Sequence, residues 1–136
     1  MLLKIFLLVI ITMNIAADSQ KYVIVEVKSP TTNVENGKPF SFFIKIKPAN
    51  GIHINVQPPI SIKPLTDGTT MNVKEIPESG EYLDLSKPIE VEGVVTRMNL
   101  GQRKVNFVVS YTYCSEKEKW CRFGKDTISV SLRVKK

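Results

Sequence analysis

Cysteine, histidine and tryptophan are scarce in this 136-residue chain, which holds two, one and one of them respectively. Two cysteines cannot build a disulfide-dense miniprotein or a four-cysteine zinc site. A single histidine removes HExxH chemistry and most histidine-based metal centres. Only 7 Gly and 8 Pro are present, without a collagen-like period. The longest apolar run falls well short of the roughly 20 residues that cross a bilayer. There is no GxSxG, no phosphate-binding glycine loop and no partner set for a triad around the lone histidine, so hydrolase chemistry has nothing to stand on. What is present is an ordinary globular composition, 43% hydrophobic and 24% charged, at a length suited to one domain.

Residues 1–17 read as a secretory signal peptide. Lys4 is the only charge, residues 5–13 are nearly all large and apolar, and Ala16 and Ala17 precede the polar Asp18, Ser19 and Gln20. An uncleaved anchor is the alternative, and no cysteine follows the apolar run to take a lipid. Cleavage after Ala17 leaves residues 18–136 as one domain of 119 residues, with 18 Lys+Arg against 13 Asp+Glu. No stable membrane insertion is expected after cleavage. The expected address is periplasmic or secreted, where two cysteines can form a lasting disulfide. The formal charge of +6 is spread and mixed, with Lys45 and Lys47 on the polar side of a strand and Lys135-Lys136 as a short tail. No nucleic-acid partner is expected from it.

The remaining chain reads as strands. Val23, Val25 and Val27 alternate with Ile24 and Glu26. Asn36-Gly37 supplies a turn before a second run from Phe40 to Pro48, and Asn50-Gly51 another before residues 52–56. Ile60 and Ile62 precede Pro64, residues 66–70 read as loop, and residues 71–76 as a weak strand followed by a turn at 77–80. Ile89, Val91, Val94 and Val95 suggest a strand with a bulge at Gly93. Residues 105–113 form the strongest run, with Phe107, Val109, Tyr111 and Tyr113 on one face, and residues 127–134 close the chain. No window carries a convincing helical period. Seven to nine short strands in about 119 residues favour an all-β fold, an immunoglobulin-like antiparallel β-sandwich, over a small barrel.

Cys114 ends the strongest run and Cys121 precedes the last one, with six residues between them. Antiparallel strands joined by such a loop put the cysteines opposite each other, at a cross-strand Cα spacing of about 4.5–5.5 Å that a disulfide accepts. One outcome is a structural staple, worth roughly 2.5 kcal/mol for an eight-residue loop in the chain-entropy model. The other is a redox pair at an exposed hairpin tip, open to thiolate attack. Lys117, Lys119 and Arg122 favour a thiolate there and Glu116 and Glu118 oppose it.

The segment VNFVVSYTYC (105–114), with Trp120-Cys121 and a closing strand after it, resembles the N-terminal periplasmic domain family of the thiol:disulfide interchange protein DsbD. The run GIHINV (51–56) ahead of Pro58-Pro59 is similar to the glycine-led strand that flanks that family's active site. The resemblance implies an immunoglobulin-like fold whose cysteine pair relays reducing equivalents by dithiol–disulfide exchange. Cys114 and Cys121 match the pair, with Cys121 as the leading sulfur and residues 66–71 as a candidate cap. His53 and Asn55 stand where the family carries aromatics, and the cysteine loop is one residue longer than in the family. The implied partners are proteins: a thioredoxin-like domain or a membrane electron conduit. No cofactor or metal is required.

His53 reads either as an acid–base or gating group or as a partly exposed strand residue, and Trp120 either as a recognition aromatic or as packing over the hairpin. The rival to exchange is a non-enzymatic secreted binding module with a structural disulfide. A donor-strand or adhesin-like subunit would need an exposed sheet edge, which sequence alone does not reveal.

Overall fold

A computed structural model describes residues 22–28 and 31–136; the signal peptide expected at residues 1–17 lies outside the described residues. The strands are β1 (Val23–Val27), β2 (Thr31–Glu35), β3 (Phe40–Pro48), β4 (Ile52–Ile54), β5 (Ser61–Pro64), β6 (Thr69–Glu75), β7 (Glu78–Ser79), β8 (Tyr82–Leu83), β9 (Ile89–Val95), β10 (Gly101–Ser115) and β11 (Trp120–Lys135). One sheet has the order β1-β3-β9-β6, and the other β2-β11-β10-β4 with β5 pairing a lower stretch of β10. The chain changes sheets between β1, antiparallel to β3, and β2, parallel to β11. Two such sheets enclosing one core make an immunoglobulin-like β-sandwich. Among the described residues no helix is long and apolar enough to cross a membrane.

The core follows from period-2 alternation. Phe42, Ile44 and Ile46 of β3 and Ile89, Val91 and Val95 of β9 are buried from one side. Val105, Phe107, Val109, Tyr111 and Tyr113 of β10 and Val130, Leu132 and Val134 of β11 meet them from the other. Phe42 and Phe107 touch across the sheets with ring centroids 5.4 Å apart. Gln57-Pro58 is a cis peptide in the segment after β4.

Several boundaries depart from the sequence expectation. β4 ends at Ile54, and Asn55 instead makes an isolated bridge to Tyr82. Residues 69–70, expected as loop, open β6, because pairing with β9 buries Thr69 and Met71 and overrides turn-like composition. Gly93 is not a bulge: it stays in register with Phe40 and Met71, and the irregularity falls at Val73/Glu75 instead. A Cβ on Gly93 would lie 2.8 Å from the Phe40 ring, so the glycine makes room for that ring. β10 and β11 form a hairpin far longer than expected, since residues 120–126 lack apolar periodicity of their own and are strand through pairing with β10.

Gly124 faces Tyr111 across that hairpin, and a Cβ there would come within 2.4 Å of the tyrosine ring. The Tyr111 hydroxyl passes over it to donate to Asp126 Oδ2 at 2.6 Å. Gly124→Ala is therefore expected to destabilise the fold by about 1–3 kcal/mol through overpacking. The check is a lowered urea midpoint at unchanged m-value, with Gly124→Ala costing less in a Tyr111→Leu background than in the parent.

Candidate functional site

Odd-numbered residues of β10 point into the core, so Cys114 points out of the opposite face of its sheet. Cys114 and Cys121 stand directly opposite each other, 4.1 Å apart at Cα, and are joined by a disulfide that lies outside the core and within one sheet. The two ends differ in environment. Cys114 is 8% exposed, whereas Cys121 is open to solvent.

β4 shields the Cys114 side, with His53 in register beside Cys114. Asn55, just past β4, is fixed by its backbone N–H donating to the Thr112 carbonyl at 2.9 Å. Its side-chain Nδ2 donates to Cys114 Sγ at 3.2 Å. Asn55 Oδ1 and Thr112 Oγ1 are buried without a hydrogen-bond partner among the described residues, which leaves polar groups unsatisfied behind the sulfur.

A second set of contacts locks the hairpin tip to β8. The His53 ring stacks on Tyr82 at 4.4 Å between centroids. The Tyr82 hydroxyl donates to Glu116 Oε1 at 2.7 Å, and Glu116 Oε2 lies 3.6 Å from His53 Nε2. The Glu116 carboxylate accepts the phenol proton and repels a phenolate, which holds the Tyr82 pKa above its ordinary value. Glu118 is tied down as well: its N–H donates to Ser115 Oγ at 3.1 Å, and its carboxylate accepts from Trp120 Nε1 at 2.9 Å.

Between the β7–β8 hairpin and this tip runs a groove of about 780 Å³, lined among others by Asn55, Gln57, Gly80, Tyr82, Cys114 and Cys121. The cap expected at residues 66–71 is elsewhere. Thr66 Oγ1 accepts the Asn106 N–H, eight positions down β10 from Cys114, or about 27 Å along a strand. The segment beside the disulfide is the β7–β8 hairpin.

Cys114, Cys121, His53 and Asn55 thus lie together. Trp120 borders the groove but belongs to the other face of β11, where its ring meets Tyr22 at 5.2 Å and Tyr113 at 5.8 Å. The Arg122 guanidinium lies 4.2 Å from the Trp120 ring centroid. That is packing over the hairpin, with one edge open to the groove. The aromatic standing free beside the disulfide is Phe123, 79% exposed and on the same face as Cys121. Sequence reasoning missed Tyr82 and Phe123, since each is an isolated aromatic in a polar stretch with no local pattern. Among the described residues, no group of three His, Cys, Asp or Glu is placed to hold a metal ion.

No family model and no curated protein matches the chain. Among solved structures it is similar to murine CRIg, with 6% identity, TM-score 0.46, and 85% of this chain and 99% of that one covered. It is similar to domain 1 of VCBP3 from Branchiostoma floridae, with 14% identity, TM-score 0.36, and 83% and 95% covered. It is also similar to domains 4 and 5 of the S-layer protein SbsC, with 13% identity, TM-score 0.46 and 82% of this chain covered. The chain spans half the length of that SbsC chain.

The Tyr82–Glu116 contact has a direct readout. In a phenolate absorbance titration, the tyrosine removed by Tyr82→Phe should titrate above the ordinary value of about 10. Glu116→Gln should bring it back down, because the repelling charge is gone. The folded-state pKa is raised, so any stability from this contact is present below the unfolded value and fades as pH rises through the folded one.

Proposed function

We propose that this is an exported immunoglobulin-like module, periplasmic or secreted, whose Cys114–Cys121 pair exchanges electrons with protein thiols in the manner of the DsbD N-terminal domain. The observation that carries this reading is the asymmetry of the disulfide: Cys121 open in a groove, Cys114 shielded and hydrogen-bonded by Asn55. A partner thiolate attacks Cys121 Sγ, the S–S bond breaks, and the electron pair leaves on Cys114. In this reading the Asn55 amide, which donates to Cys114 Sγ at 3.2 Å, stabilises the leaving thiolate. The second partner thiol then attacks its own sulfur in the mixed disulfide and releases Cys121. Overall the partner dithiol is oxidised to a disulfide, and two electrons and two protons reside on Cys114 and Cys121. The reverse sequence reduces a partner disulfide. The partners that supply or take the electrons are thioredoxin-like domains or a membrane conduit.

A second reading has its own support. The tip is held by Ser115, Trp120 and Tyr82 and bears exposed Phe123, which suits a fixed recognition surface with the disulfide as a staple. The reduction potential separates the two. A redox titration against glutathione with thiol trapping should give roughly −120 to −270 mV for an exchange pair, and the protein should stay folded when reduced. A value below about −300 mV would identify a staple and overturn the exchange reading. If exchange holds, Asn55→Ala should slow reduction by a small dithiol about tenfold, since a hydrogen bond to a charged group contributes about 1.5–3 kcal/mol. An unchanged rate would remove Asn55 from the mechanism.

A further inference from the structure

Among the described residues, β11 is paired on one side by β10 from Trp120 to Val134, but on the other side only by β2, from Ser131 to Lys135. β1 approaches the same side near Asp126–Ile128, where Val23, Ile24 and Val25 flank a small cleft. From Trp120 to Lys125 no strand pairs with that edge among the described residues.

The hydrogen-bonding direction along this edge can be read from β10. The Thr112 carbonyl accepts from Asn55, so even-numbered residues of β10 turn their backbone groups towards β4 and away from β11. Their partners Cys121, Phe123 and Lys125 therefore sit at non-hydrogen-bonded positions of the hairpin and turn their own N–H and C=O groups outward. The 4.1 Å Cα separation at the cysteine pair agrees with that assignment. The same three residues also share the outer face. An added strand would thus meet three donor–acceptor sites with which no strand pairs among the described residues, with Phe123 and Lys125 beside them.

Charge selects what such a strand carries. The carboxylates of this end are turned onto neighbours: Glu116 onto Tyr82 and His53, Glu118 onto Trp120, Asp126 onto Tyr111. Lys117, Lys119 and Lys125 make no ion pair among the described residues. Lys125 stands on the edge and Lys117 and Lys119 in the turn beside it, so two copies laid edge to edge would gather like charge at this end, which disfavours self-pairing. We propose that the β11 edge from Cys121 to Lys125 accepts an acidic, extended segment of a partner protein as an added strand, with an apolar side chain over Phe123. The proposal does not depend on thiol chemistry and is tested with the disulfide intact.

The probe is the labelled peptide acetyl-Thr-Asp-Thr-Val-Thr-Asp-Thr-amide, whose valine lies between two aspartates on one face of a strand. It should bind, more weakly as salt rises, and slow amide hydrogen exchange at Cys121, Phe123 and Lys125. Replacing its aspartates by lysine, N-methylating its pairing amides, or introducing Phe123→Ser should each weaken binding at least tenfold. Phe123 is 79% exposed, so that variant keeps its core. No binding at low salt, equal binding of the N-methylated peptide, or protection mapping to another face would overturn the proposal. A dimer that protects the same amides without peptide would assign the edge to a second copy and overturn it too. None of these results bears on the reduction potential, so the two proposals fail separately.

Discussion

The alternation imposed by the β10–β11 ladder is the constraint on which the rest of the molecule depends. Fifteen consecutive residue pairs, from Gly101↔Val134 to Ser115↔Trp120, leave no register freedom, because a slip of one residue would exchange the faces. Odd positions of β10 then supply the core from Val105 to Tyr113. Even positions are committed to the outer face, and that carries Cys114 out of the core. The ladder also explains the close approach of Tyr111 to Gly124, since residues opposite each other share a side. A disulfide on such a scaffold cross-links strands that are already paired, and the hydrophobic core is complete without it.

The chemistry of the site comes from what surrounds the outer end of that ladder. β4 covers one sulfur, and among the described residues no strand pairs with the opposite edge, so the two sulfurs of one bond experience different environments. Asn55 owes its place to a backbone bond rather than to strand membership, and Tyr82 arrives on a two-residue strand anchored through Glu116. Among the described residues, a small set of side chains on short strands thereby fixes the groove.

Much of the fold was legible because burial writes itself into sequence as alternation. The runs around Val23–Val27, Phe40–Pro48 and residues 105–113 gave both the strands and the core residues. The cysteine spacing gave the cross-strand pair, since opposition in a hairpin is a local matter. Residues 120–126 were not legible: mixed charge and an exposed Phe123 look like loop until the partner strand is known. The cap was misplaced for the same reason. Residues 66–71 had turn-like composition, but which loop reaches the cysteines is decided by long-range pairing, and that brought Tyr82 there instead. His53 and Asn55 were reachable through the resemblance of residues 51–56 to a glycine-led strand, although β4 itself ends at Ile54 and leaves Asn55 just past it.

The parallel register of β2 on β11 has a mechanical consequence. Their residue pairs run from Thr31↔Ser131 to Glu35↔Lys135, so tension reaching β2 from the N-terminal side and β11 from the C-terminal side pulls the strands in opposite directions along their length. Such a load shears the whole row of hydrogen bonds at once, whereas an antiparallel edge pulled from one end opens bond by bond. The β2–β11 contact therefore resists such a load collectively.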